Sequence, residues 1–268
     1  MTIYRDEPRT PLVVLVHGLH SNQQELAFVK AGLERAGIVC VLPNIEGYTF
    51  SDPRTEKSRK PDWRSWVNQL VQELYKLNKL HGRVILTGIS TGANLSLAAA
   101  LEAPDTLVGV VPLSTSLFID GWKIPSYNFL VLLAYYTPLG VFWTYKESSP
   151  YGVQDERIRN WIERELTNKG TSAAGSSTIP NAYLRENHRL LLWLRKRLKK
   201  EIPNLPLLAI HALRDEIASI KNVNYLEKYW PLNYFDKLLL ANSYHMISID
   251  RERAKVIQAL INFSKKMA

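Results

Sequence analysis

Cysteine is the residue this chain most conspicuously lacks. One, Cys40, occurs in 268 residues. That excludes an intrachain disulfide and a cysteine-based zinc site. Cys40 lies in the apolar run 38–42 and reads as a small buried hydrophobe, because nothing beside it in sequence would lower its pKa. Long apolar runs are also missing. The most apolar long stretch, 129–143, is interrupted by Pro138 and Gly140. It falls short of the ~20 residues that a bilayer span needs. The first residues, Met1-Thr2-Ile3-Tyr4-Arg5-Asp6-Glu7-Pro8, show no basic segment followed by an apolar one, which is the secretory pattern. No internal repeat or low-complexity tract is seen. The expectation is a cytoplasmic enzyme.

What is present is ample core material. Hydrophobic residues make up 46% and charged residues 22%, which fits one α/β domain carrying an insertion. The net charge is +9. Part of it is concentrated in Arg185, Arg189, Arg195, Lys196, Arg197, Lys199 and Lys200, around Leu190-Leu191-Leu192-Trp193-Leu194. A basic amphipathic helix can lie on an anionic membrane. The simpler reading is a helix that buries its leucines and solvates its charges. No helix-turn-helix or base-stacking platform accompanies the charge, so nucleic acid is not expected as a partner.

Buried-strand runs alternate with helical patterns in the first part of the chain. Strands are expected at 12–16, 38–42, 84–87 and 106–113, and helices at 23–36, 62–80 and 91–103. Asp62 is the expected N-cap of the second helix, whose stripe is Trp63, Trp66, Val67, Leu70, Leu74 and Leu77. The rhythm then stops. Residues 114–204 read as a helical cap insertion, with helices near 155–168 and 183–200 and a flexible loop at 170–177. Strands resume at 205–212 and 236–241, with a helix at 220–229 between them. Asp250 is the expected cap of a last helix, 251–265. The core is thus expected over 1–113 plus 205–268. Such β-α-β units build a twisted parallel sheet with its active site at the strands' carboxyl ends.

Gly88-Ile89-Ser90-Thr91-Gly92 is the most informative stretch. It is G-x-S-x-G between a strand and a helix, the context in which a serine stands clear of a sheet on a sharp turn. A serine needs a base, and the base needs a carboxylate to fix its tautomer. Of the six histidines, His81 sits before a strand, His188 lies in the insertion, and His211 falls inside a strand run. His245 follows the last strand on a loop, where a base belongs. Asp215 follows the preceding strand and is the expected acid, with Glu216 beside it as rival. Oxyanion donors are expected from the backbone N–H of Thr91 and of Leu19, the latter in the loop His17-Gly18-Leu19-His20. His17 is expected to brace that loop. His20 either braces it or sits near the pocket.

These segments make the chain resemble an α/β-hydrolase of the bacterial carboxylesterase and monoacylglycerol-lipase-like branch. The resemblance rests on Val14–Leu19, the loop 43–51, the 88–92 turn, Asp215, and Ser243-Tyr244-His245-Met246-Ile247. It implies a mostly parallel sheet flanked by helices, and ester hydrolysis through a covalent acyl-serine. It also implies a helical cap forming the acyl pocket. Two departures stand out. Asn44 and Tyr48 replace the usual residues of the loop after the second strand. The N-terminal segment is too short for the family's first two strands, so about six strands are expected.

The expected substrate is a small-molecule acyl ester of small to medium chain, with no metal or organic cofactor. Trp122, Phe129, Leu133 and Tyr136 are the candidate substrate-binding residues, within a set that includes Tyr127, Leu130, Tyr135, Phe142 and Trp143. The same aromatics could form the insertion's own core. A thioesterase or amidase with the same triad is the alternative, as is a peripheral membrane lipase. Dehalogenation is disfavoured because Ser90 stands where a carboxylate would be needed. A non-catalytic binding protein would be expected to lack a triad member.

Overall fold

A computed structural model describes residues 10–50, 60–138, 140, 144–169, 171–172 and 175–268. Phe142 and Trp143 of the aromatic set, Ser51 of the 43–51 loop, and Gly170, Ala173 and Ala174 lie outside the described residues, as does the Met1–Pro8 segment.

The five apolar residues Leu12–Val16 form β1, and all five are buried. A strand wholly buried must be covered on both faces. The packing shows it: Val14 and Val16 join one core cluster, while Val13 and Leu15 join the other. β3 (Val84–Ile89) divides in the same way, with Val84 and Leu86 on one side and Ile85 and Ile89 on the other. β2 is Cys40–Val41, β4 is Gly109–Leu113, and two later strands complete the sheet. We number those β9 (Leu207–Ala212) and β10 (Phe235–Leu240). The order is β10-β9-β4-β3-β1-β2, and every pairing is parallel. From β1 the chain goes outward to β2, then returns past β1 to β3. The reversal opens a crevice at the carboxyl ends of β1 and β3.

Helices cover both faces. α1 (Ala27–Arg35) and the last helix, α8 (Arg253–Lys266), bury Val29, Leu33, Val256, Leu260 and Phe263 on one face. α2 (Trp63–His81) and α3 (Thr91–Glu102) cover the other. The stripe Trp63, Trp66, Val67, Leu70, Leu74, Leu77 is buried as its helical spacing requires, and Asp62 accepts the Arg64 N–H. α7 (Lys221–Tyr229) joins the second group through Val223 and Leu226.

Among its described residues, the segment between β4 and β9 adds no strand to this sheet. It carries α4 (Val131–Tyr136), β5 (Thr144–Lys146), α5 (Glu156–Lys169), β6 (Thr171–Ser172), β7 (Gly175–Ser176), β8 (Thr178–Pro180) and α6 (Asn181–Arg197). It is less purely helical than expected. β5 pairs with β8 and β6 with β7, both antiparallel, so part of the stretch expected as a flexible loop is a small hairpin. Short strands of two or three residues lack the length that makes alternation visible in sequence. α6 buries Leu190, Leu191 and Leu194 and packs against α2, α3 and α4, so its leucines have a protein partner.

Three further expectations need correction. The helix expected over 23–36 begins as a 3-10 turn, Gln23–Leu26, before α1. Cys40 is half-buried on a two-residue edge strand rather than enclosed. Burial still pushes its thiol up to about 12, so it is no nucleophile. Asp250 does not cap the last helix, which starts at Arg253 with Glu252 before it. Asp250 is buried and bonds the backbone of two other segments. Among the described residues, no helix is long and apolar enough to cross a membrane.

Candidate active site

Ser90 sits at the end of β3 with φ 56° and ψ −120°, a backbone conformation that L-residues rarely hold. The turn is enforced by close packing. A Cβ at Gly88 would lie 2.3 Å from the Gly92 carbonyl oxygen, and one at Gly92 would lie 2.2 Å from the His17 carbonyl oxygen. Both glycines are therefore required sterically. The Ser90 N–H donates to the Leu113 carbonyl at 2.9 Å, which ties the turn to β4.

Two loops converge on Ser90. The segment after β10 brings His245, and the Ser90 hydroxyl lies 2.8 Å from its Nε2. The segment after β9 brings Asp215, whose Oδ2 accepts the His245 Nδ1–H at 2.7 Å. The other oxygen, Oδ1, accepts the N–H groups of Ile217 and Ala218, each at 2.8 Å. A carboxylate with so many donors is held in one pose. Burial alone would raise the Asp215 pKa. The charge and hydrogen bond of His245, with His211 and the Ala218 N–H, outweigh it and hold Asp215 below its ordinary value. Burial would likewise lower His245. Asp215, then Glu216 and Glu25, overcome that and raise it to about 9.

Glu216, the rival acid, has a different post. Its Oε2 accepts the backbone N–H of His245 at 3.1 Å, so it holds the loop rather than the imidazole. His211 is fully buried, as its place in a strand run implies. Its Nε2–H donates to the Ala218 carbonyl at 2.8 Å and lies 3.6 Å from Asp215 Oδ2.

The loop after β1 is clamped from several sides. His17 Nε2 is 2.9 Å from Thr49 Oγ1, its ring stacks on Tyr48, and the Tyr48 hydroxyl donates to the His17 carbonyl at 2.7 Å. Burial pulls the His17 pKa down to about 4, so the ring is neutral and braces the loop. The Gly18 N–H donates to Glu25 Oε2 at 2.6 Å. Leu19 is half-buried, and Thr91, directly after Ser90, is buried. The Thr91 hydroxyl donates to Asn187 of α6 at 3.2 Å, so the 114–206 segment reaches the turn directly. His20 packs edge-on to Phe50 and Tyr183.

Trp122, Phe129, Leu133 and Tyr136 are all exposed. Trp122 touches the segments that carry Asp215 and His245: its indole N–H donates to the Arg214 carbonyl and its ring lies edge-on to Tyr244. Phe129, Leu133 and Tyr136 lie along the 3-10 turn Ser126–Leu130 and α4, facing solvent. The Tyr136 hydroxyl lies 2.8 Å from His188 Nδ1. A surface cleft of about 630 Å³ lies elsewhere, lined by Pro43, Asn44, Asp62 and Gln69, and holds none of Ser90, Asp215 or His245. Sequence reasoning missed Glu25, Asn187 and Ser114. The one available signal was charge: Glu25 falls among apolar helix positions and is buried. Among the described residues no group of three or more His, Cys, Asp or Glu could hold a metal ion.

A family model described as "Serine aminopeptidase, S33" matches residues 7–252. The thermostable monoacylglycerol lipase of Bacillus sp. (strain H-257) is 22% identical over 256 residues, covering 96% of this chain and 91% of that one. The carboxylesterase of Bacillus subtilis (strain 168) is 23% identical over 257 residues, covering 95% and 92%. Among solved structures, a soluble variant of the monoglyceride lipase of Saccharomyces cerevisiae superposes with a TM-score of 0.81 at 13% identity, covering 98% of this chain and 89% of that one. The monoacylglycerol lipase of Paleococcus ferrophilus superposes with a TM-score of 0.72 at 18% identity, over 100% of both chains. The fold is that of the α/β-hydrolases, and with nearly the whole length matched the chain belongs to the serine hydrolase family Serine aminopeptidase, S33.

Proposed function

We propose that this enzyme hydrolyses carboxylic esters of small to medium acyl chain through an acyl-serine intermediate. The observation that carries the reading is the continuous chain Ser90 Oγ, His245, Asp215, with spacings of 2.8 and 2.7 Å, on a strained turn. His245 takes the Ser90 proton as Ser90 attacks the ester carbonyl. Asp215 holds the imidazole's tautomer and stabilises the imidazolium. The N–H groups of Leu19 and Thr91 receive the oxyanion. That assignment is supported by the commitment of the neighbouring Gly18 N–H to Glu25. His245 then protonates the leaving alcohol, and water activated by the same imidazole releases the acid. No cofactor takes part in these steps.

Residues 114–204 act in this reading as the cap over the site, supported by the Thr91–Asn187 contact, while 1–113 and 205–268 form the core. Trp122 lies at the rim, and Phe129, Leu133 and Tyr136 form an outer apolar surface that receives acyl chains. The substrate is a small molecule, and the setting is cytoplasmic, where a chain with a single cysteine has no cross-link to lose.

The test is fluorophosphonate labelling of the wild type and Ser90→Ala. Labelling of the wild type alone is expected; labelling of Ser90→Ala would overturn the nucleophile. A series of p-nitrophenyl esters then measures the preferred chain length.

A second reading, a lipase acting at a lipid surface, is favoured by the run of exposed Tyr127, Phe129, Leu130, Leu133 and Tyr136. Salt-sensitive sedimentation with anionic vesicles is its expected signature, and its absence would remove it.

A further inference from the structure

The loop that carries His245 is held by backbone hydrogen bonds to a degree its length does not require. The N–H groups of Asn242, Tyr244, His245 and Met246 donate to Glu252 Oε2, Asp250 Oδ2, Glu216 Oε2 and the Gly152 carbonyl respectively. The Ser114 hydroxyl donates to the His245 carbonyl at 2.6 Å. Apart from Ser114, which directly follows β4, two of these anchors lead out of the loop to the 150–156 turn of the segment between β4 and β9. Gly152 belongs to that segment, and its carbonyl meets Met246 N–H at 2.7 Å. Asp250 binds the same segment by its side chain.

Asp250 is fully buried. Its Oδ1 accepts the N–H groups of Asp155 at 2.9 Å and Arg251 at 2.8 Å. Its Oδ2 accepts those of Gln154 and Tyr244, both at 2.8 Å. One carboxylate thus joins the start of α5 to the residue before His245. Four backbone donors converge on the two oxygens, and each oxygen bridges two chain segments.

We infer that Asp250 is a positioning residue that makes the placement of His245 depend on the 150–156 turn of the cap segment. The inference rests on the reading of His245 as the catalytic base. Because Oδ2 is shared between Gln154 and Tyr244, the turn cannot lift away while Tyr244 stays in place without leaving an N–H of one of them unpaired. The Gly152–Met246 bond locks the same two segments from the other side. Gly152 takes a φ of 74°, and a Cβ there would lie 2.4 Å from the Met246 side chain, so the contact is close. Loss of the turn therefore moves Met246 and Tyr244 on both sides of His245. Displacement of the base lengthens its 2.8 Å hydrogen bond to Ser90, while Ser90 itself stays held by its own turn.

The experiment is kinetic and structural on Asp250→Asn. The amide keeps its shape but offers one acceptor where two are used, and turns an N–H₂ toward two N–H donors. For the folded variant, kcat is expected to fall about tenfold or more, with KM within about twofold, as a misplaced catalytic group requires. Fluorophosphonate labelling should slow in step. Amide hydrogen exchange should speed up in 150–156 and in 242–246 together. Wild-type kcat, a loss confined to KM, or faster exchange in only one segment would overturn the inference. Should Asp250→Asn fail to fold, Gly152→Ala probes the same link from the cap side. It should slow labelling and loosen 242–246, and wild-type rates there would overturn the inference equally. A wild type that does not label at all would instead defeat the triad reading.

Discussion

The Glu25 carboxylate accepts the Gly18 N–H at 2.6 Å from a position only 2% exposed. The approach is close: a Cβ at Gly18 would lie 3.0 Å from Glu25 Oε1, so a side chain there would press on the carboxylate. Burial raises the Glu25 pKa from 4.5 to about 7, against the lowering effect of the Gly18 and Ser21 hydrogen bonds. The folded chain therefore holds this proton more tightly than the unfolded one. Its stabilising effect is full below pH 4.5 and is lost as pH rises through about 7. Glu25→Gln keeps an acceptor and removes the titration. It should flatten the decline in stability across that window. Glu25→Ala leaves the Gly18 N–H without its partner, at a cost of about 1–3 kcal/mol. Urea melts between pH 4.5 and 8 distinguish the two, with Ala less stable than Gln throughout.

Gly92 separates the serine turn from the β1 loop by the thickness of one hydrogen atom. A methyl at that position meets the carbonyl oxygens of Val16 and His17, at 2.3 and 2.2 Å, and neither backbone can yield without moving a donor. Gly92→Ala should destabilise by about 1–3 kcal/mol through overpacking. It should also slow fluorophosphonate labelling more than it raises KM. Labelling at the wild-type rate in a folded Gly92→Ala protein would show that the two loops are not in register for catalysis.

The Ser90–His245–Asp215 hydrogen-bonded chain was readable because topology restricts its members: an acid and a base that meet at the sheet's carboxyl edge must follow strands, and Asp215 and His245 do. The amphipathic stripe of α2 was readable because six apolar residues at helical spacing admit one packing. What was not readable depends on contacts between distant segments. Asp250 precedes an apolar helical pattern and looks like a cap, yet its donors come from Gln154, Asp155 and Tyr244 as well as from Arg251. Glu216 and Asp215 are neighbours with the same chemistry, and only the direction of each side chain divides their roles. The aromatic residues around 127–136 fit a pocket or an insertion core by composition, and composition does not give the exposure of Tyr127, Phe129 and Tyr136.

The pH dependence of the reaction follows from the carboxylates around His245. The base must be neutral to accept the Ser90 proton. With its pKa raised to about 9 by Asp215, Glu216 and Glu25 against the lowering effect of burial, the neutral fraction grows up to about pH 9. kcat/KM should rise with pH to a plateau above that value. Glu216→Gln removes one of the charges that raise it, so the rising limb should move to lower pH. A limb that stays fixed, or moves up, would mean that Glu216 carries no charge that His245 feels.

The core offers a prediction independent of the chemistry. Leu70 is fully buried in the middle of α2, against the face that carries β1 and β3. Leu70→Ala should lower stability by about 2–5 kcal/mol, by lost burial and the cavity left behind. In a chain of this length that shifts the melting temperature by about 2–4 °C for each kcal/mol. Labelling of the folded fraction should remain at the wild-type rate, because α2 supplies no group to the Ser90 turn.

Asp215→Asn separates the two adjacent acids. Asparagine keeps one oxygen for the Ile217 and Ala218 N–H groups, so its amide nitrogen must face His245. An N–H₂ there donates to Nδ1, which forces the proton onto Nε2 and leaves no lone pair for the Ser90 hydroxyl. kcat should fall about 10³- to 10⁴-fold, as loss of the correct tautomer requires. Glu216→Gln retains an oxygen for the His245 backbone N–H, and its loss in kcat at the plateau should be smaller by at least about tenfold, the difference between tautomer loss and a retained hydrogen bond. Equal losses in the two variants would transfer the tautomer-fixing role away from Asp215 and require that Glu216 reach the imidazole during turnover.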